Sequence, residues 1–275
     1  MHGTTLPTNL LKHPMKTILK RILAMISLTL VVALSGLATI VLFPQPLFAY
    51  TVEHGKITVY ANEEINPAII PRIDNAMKLV NESELHDPDY TYDLFLSYNT
   101  LFNRIDDKVF GFGPSARATA NNIVMKVRID ATRDLFFPTF HQSCEGSLTV
   151  LLAHEMIHCL QAHRYGITTF NPVKHPPMWK LEGYPEYIAR RAKRVDKDYS
   201  LPNEIDRYTE LERSTKDIWL QIEEGGCHAP KYYYKGRLMM EYLMDVKNMS
   251  YHEVLVSTRS EEEVYGEMMA WRKHK

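Results

Sequence analysis

The stretch "ILAMISLTLVVALSGLATIVLF", residues 22–43, carries no charged residue in 22 positions. As a helix rising about 1.5 Å per residue it covers the roughly 30 Å hydrocarbon core of a bilayer. A water-soluble fold would have to wrap it on every side, because it has no polar face to turn outward. It therefore reads as a transmembrane signal-anchor. Lys12, Lys16, Lys20 and Arg21 precede it. The positive-inside tendency then leaves 1–21 in the cytoplasm, with 44–50 a linker and 51–275 an exported domain. The alternative is a signal peptide cleaved near Ala49 in "QPLFAY", which would secrete the same domain instead of tethering it.

The chain of 275 residues is 45% hydrophobic and 24% charged with a formal net charge of -1, the composition of a globular domain with a sizeable core. That near-neutral balance speaks against nucleic acid as a partner, since a phosphate backbone calls for a basic surface. Peptide or protein substrates stay open. Cys144, Cys159 and Cys227 permit one disulfide in an exported domain, and spacing does not select the pair. The sequons at Asn81 and Asn248 matter only in a host that glycosylates secreted proteins.

Along the exported part, "KITVY" (56–60) alternates like a strand and 65–85 has apolar residues at helical spacing. "YTYDLFLSY" (90–98), "KVFGFG" (108–113) and "NNIVMKVRI" (121–129) read as three further strands bounded by turn residues. From Ser147 onward helical periodicity takes over, in 147–165, 178–195, 204–222, 230–247 and 260–273. Strands first and helices later is an α+β order. The basic run "RRAKR" (190–194) suits a solvated helix end, with membrane-surface binding as the lesser reading.

At the join of the two halves, His154, Glu155 and His158 spell H-E-x-x-H within "TVLLAHEMIHCLQAH" (149–163). On a helix the two histidines lie about 40° apart and one turn along, so both imidazoles reach one ion. Glu155, rotated about 100° from His154, stands beside such an ion, where a general base for a zinc-bound water belongs. His163 falls about 180° from His154 and is no ligand from this helix. The alternative is a buried core helix that carries histidines by accident.

A catalytic zinc usually takes three protein ligands, and the next acidic candidate lies in "PPMWKLEGYPEYIARRAKR" (176–194), where Glu182 follows His158 by 24 positions. With "HEMIH" and "WKLEGYPEY" together, the chain resembles the gluzincin branch of the zincin metallopeptidases, whose second motif reads roughly W-x-x-E-G-x-A-E-Y. The resemblance is specific in those two motifs and loose over about 56–245. It implies that Glu182 is the third zinc ligand and Glu186 the acceptor behind a ligand histidine. Their separation of one helical turn fits that division. Pro185 departs from the family pattern and suggests a kink, or a helix starting near it. The zincin subclass with H-E-x-x-H-x-x-G-x-x-H is ruled out by Gln161 and Arg164, which stand where its glycine and third histidine would be.

"KYYYKGRLMMEYLMD" (231–245) resembles the family's following helix, which implies Tyr233, with His228 in reserve, as donor to the developing oxyanion. Packing is the alternative role for Tyr232–Tyr234. The resemblance also implies that an extended substrate pairs with an edge strand drawn from 112–125. The expectation is an α+β, zincin-like domain: a small N-terminal mixed sheet, a central H-E-x-x-H helix and a mostly helical C-terminal half, behind one transmembrane helix. Its expected activity is Zn2+-dependent hydrolysis of peptide bonds, as an endopeptidase rather than an aminopeptidase, because the G-x-M-E-N motif and extra domains of the large aminopeptidases are missing. A catalytically silent zincin-fold binding module is the other class of reading.

Overall fold

A computed structural model describes residues 12–111, 115–138, 144–166, 168–170, 175–192, 197–221 and 228–275. Helix α1 (Lys12–Leu42) contains one segment, Ile18–Leu42, long and apolar enough to cross a membrane. It belongs to one compact unit, Met1–Pro46, and the rest of the chain, Leu47–Lys275, forms a second.

The second unit is α+β. Its main sheet is built from β1 (Tyr50–His54), β2 (Ile57–Ala61), β3 (Tyr92–Leu96), β4 (Ala116–Thr119) and β5 (Asn122–Met125) in the order β1-β2-β3-β5-β4. The inner strands β2, β3 and β5 are parallel, and the edges β1 and β4 pair antiparallel to their neighbours, so the sheet is mixed. Helices α2 (Ile69–Val80) and α3 (Leu101–Phe110) provide the crossovers. The small sheet β6 (Arg128–Asp130), β7 (Leu135–Phe137) and β8 (Gly146–Ser147) leads into α4 (Leu148–Tyr165). Then follow α5 (Met178–Leu181), α6 (Gly183–Ala189), α7 (Leu201–Ser214), the hairpin β9 (Trp219–Gln221) and β10 (His228–Pro230), α8 (Lys231–Glu241), a π-helical turn (Tyr242–Val246), α9 (Tyr251–Val256) and α10 (Glu261–Arg272).

Strand alternation divides the sheet's contacts. Leu94, Ile123 and Met125 belong to the main core with Ile69, Ile73 and Ala76 of α2 and Leu148, Leu152 and Met156 of α4. On the opposite face, Phe95 packs against Phe48 and Phe102, which puts α3 there. Helix α4 starts where the Ser147 hydroxyl accepts from the Val150 amide and Asp134 accepts from the Thr149 amide and hydroxyl. It ends at Gly166, whose φ of 86° is the left-handed region that stops a helix. Its ten buried residues run from Leu148 to Gln161. Each fully buried leucine contributes roughly 1.5–3 kcal/mol, so the helix is held as a core element.

Several expectations are corrected. The run 108–113 is no strand: Lys108 to Phe110 finish α3, which the Thr100 side chain caps by accepting from the Asn103 amide, and 112–113 lie outside the described residues. Leu101, Ile105 and Val109 follow the helical period that a six-residue window hides. The stretch 204–222 is not one helix, since α7 stops at Ser214 and 219–221 pair in β9. The run 121–129 is split between β5 and β6, and β1 and α9 were not expected at all. Cys144 is disulfide-bonded, whereas Cys159 is a buried free thiol and Cys227 lies outside the described residues.

Candidate metal centre

His154 and His158 leave the same side of α4 one turn apart, and their Nε2 atoms approach to 3.0 Å. Oε2 of Glu182, in the turn between α5 and α6, completes a triangle at 3.2 Å from His154 Nε2 and 3.1 Å from His158 Nε2. A tetrahedral ion with bonds of 2.0–2.1 Å needs ligand atoms about 3.3 Å apart, so the triangle has the size of one face of a zinc-type site. Two imidazoles and one carboxylate also form a donor set suited to a divalent transition metal rather than to calcium. The cluster could therefore coordinate a divalent metal such as Zn2+.

Each histidine has a partner behind it. Nδ1 of His154 lies 3.1 Å from Oε1 of Glu186, off the ideal hydrogen-bond line. Glu186 in turn accepts from Nε of Arg190. Nδ1 of His158 donates to Oε1 of Gln161 at 2.8 Å. The Gln161 amide nitrogen donates to the Leu181 carbonyl and the Tyr251 hydroxyl, which ties α4 to the end of α5 next to Glu182. Such contacts turn the Nε2 atoms of both rings toward Glu182, the orientation that binding one ion would need. The helical wheel puts Gln161 near the metal-facing side, but the sequence assigns it no role; its bond to His158 is seen only in the structure. Its position three residues after His158 is the signal that could have found it.

Glu155 is buried beside the triangle but does not belong to it. Burial pushes its carboxyl pKa up, and the nearby His154 and His158 charges pull it down. The Tyr233 ring, in the first turn of α8, stands 5.6 Å from the His154 ring. Burial, followed by the Glu182 charge, raises its phenol well above the usual range, so it keeps its proton at neutral pH. Tyr232 is exposed, while Tyr234 is buried and donates to Glu204. The backbone of His228 lies in β10, and its side chain is outside the described residues. His163 is at the surface 3.0 Å from Asp87, away from the cluster.

Pro185 is accommodated in the first turn of α6, where backbone amides have no intrahelical partner to lose. Gly183 is demanded by packing instead of by a kink: a Cβ there would lie 2.7 Å from the Gly236 carbonyl oxygen of α8. The two glycines let α6 and α8 meet backbone to backbone, which brings Tyr233 near His154.

In the metal-free protein, burial opposes the imidazolium of His154, but the hydrogen bond to Glu182, the close approach of Glu186 and the charges of both outweigh it and raise its pKa from 6.5 to about 10. A raised folded-state pKa gives a contribution that is complete below the unfolded value and lost as pH climbs through the folded one. Chelator-treated protein is thus expected to lose stability between pH 6.5 and about 10. Urea midpoints across that range measure it, and a rising profile contradicts it.

No family model, curated protein or solved structure matches the chain.

Proposed function

We propose that this protein is a membrane-anchored zinc metallopeptidase of zincin type, with the Leu47–Lys275 unit exported and acting on peptide or protein substrates as an endopeptidase. The observation that carries the reading is a buried carboxylate, Glu155, beside a triangle of His154, His158 and Glu182 and not part of it. A purely structural zinc site has no use for a base next to an open position. Zinc, when bound, polarises the scissile carbonyl and acidifies a water.

The protein groups do the rest. Glu155 takes a proton from the attacking water and delivers it to the leaving amine nitrogen. Tyr233 donates its phenolic proton in a hydrogen bond to the oxyanion, with His228 as the second candidate. Glu186 and Gln161 hold the two imidazoles in the tautomer that points Nε2 inward. Strand β4 is an edge of the main sheet beside α4, and it offers backbone groups to an extended substrate. The anchor is supported by Phe48, buried against Phe95 and Phe102. Cleavage after Ala49 would strip that aromatic from the domain.

The test is metal content and peptide-library cleavage by the full chain in detergent. One zinc per chain is expected, with hydrolysis lost on chelation and restored by Zn2+. Zinc without hydrolysis would favour the silent binding module, and no metal at all would leave α4 a core helix.

A further inference from the structure

The outward face of α3 has no part in the chemistry above. Leu101, Arg104, Ile105, Lys108 and Val109 fall within about 140° of one another on the helical wheel. Leu101 is 65% exposed, Val109 40%, and Tyr98, just ahead of the helix, 49%. Arg104 and Lys108 are exposed with them. The acids of the same helix are turned inward: Asp106 is buried against Arg117 and Lys126, and Asp107 meets Lys126 at 2.5 Å. Among the described residues neither Arg104 nor Lys108 has an ion-pair partner. The helix thus sorts its charges by sign and presents cations interleaved with apolar side chains.

The chain also limits how far Phe48 can lie from the end of the membrane-length segment. Phe48 packs its ring 5.9 Å from that of Phe102, in the first turn of α3. The membrane-length segment ends at Leu42, and the six residues from there to Phe48, even fully extended, reach only about 20 Å.

We propose that this face docks on the headgroups of the anionic bilayer that holds the chain's own N-terminal helix, so that the domain is fixed at the membrane surface. The inference rests on the anchored reading. Leu101, Val109 and Tyr98 enter the interface, and Arg104 and Lys108 pair with lipid phosphates. A second copy of the chain fits this face poorly, because a two-fold contact would bring like charges together.

The test uses the full chain in vesicles of phosphatidylcholine with or without phosphatidylglycerol, with an environment-sensitive dye on Leu101→Cys. Val256→Cys is the comparison, 61% exposed at the end of α9. Cys144 is disulfide-bonded and Cys159 buried, and the unsubstituted chain treated alike sets the labelling background. With phosphatidylglycerol the dye at 101 is expected to shift to the blue and resist iodide quenching, while the dye at 256 does neither. Arg104→Glu with Lys108→Glu should lower the docking equilibrium by at least roughly thirty-fold, about fivefold for each cation lost before the added repulsion. Flotation with the vesicles reports the anchor separately. A chain that floats while residue 101 stays in water with both lipids overturns the docking surface and leaves the anchor standing; a chain that does not float overturns both. Shielding that is the same without phosphatidylglycerol and survives the charge reversal signals a protein contact, and also overturns it.

Discussion

Glu155→Gln is expected to leave the metal bound and to slow peptide hydrolysis by about 10²–10⁴-fold, the usual worth of a general base. The amide has nearly the same shape as the carboxylate and cannot take a proton. The triangle of His154 Nε2, His158 Nε2 and Glu182 Oε2 does not include it. Burial already disfavours the ionised form of Glu155, so a neutral replacement is expected to hold or raise the melting temperature. His158→Ala is the necessary partner experiment. It removes one of the three candidate ligands and leaves Gln161 without its acceptor role, so on the proposed reading zinc and cleavage should both be lost. Elemental analysis, melting and cleavage rates on the same preparations separate the cases. Loss of zinc in Glu155→Gln would make that residue a ligand, and cleavage at the parental rate would end its role as base.

Gly183→Ala is the second substitution with a large expected effect. The added methyl would sit 2.7 Å from the Gly236 oxygen and 2.8 Å from its carbonyl carbon, and neither is a side chain that can swing away. Overpacking of this kind costs about 1–3 kcal/mol, with backbone partners toward the upper end. Part of the strain should be relieved by α8 moving off α6, which carries Tyr233 away from His154 and shifts the turn that holds Glu182. A displacement near 1 Å in a catalytic arrangement costs about 10²-fold in rate. Gly266→Ala is the control, because it lies in α10 with nothing within 4 Å of the added methyl; it is expected to stabilise by about 1 kcal/mol through helix propensity alone. Denaturant midpoints and hydrolysis rates for the pair check both statements. Equal stability and rate for Gly183→Ala and the parent would show that α6 and α8 are not locked at this crossing.

The parts of the site that lie on one helix were legible from the chain alone, since α-helical geometry converts sequence spacing directly into direction. The i and i+4 histidines, the offset of Glu155, the remoteness of His163 and the apolar run of 22–43 all follow from 3.6 residues per turn and from the absence of charge. The order of strands and helices is similarly local, and the errors came where windows were short: 108–113 looked like a strand because its helical partners lay just upstream at Leu101 and Ile105. What lay beyond the sequence was every contact between elements distant along the chain. Gln161 links His158 to Leu181 and Tyr251 across 20 and 90 positions, and Gly183 is required by Gly236 rather than by its own backbone. The inward turn of Asp106 and Asp107 toward Arg117 and Lys126, which leaves α3 a cationic outer face, likewise depends on which strand packs beneath it. Periodicity shows which way a side chain leaves its helix, while the partner it meets depends on how separate elements pack, and no local pattern encodes that.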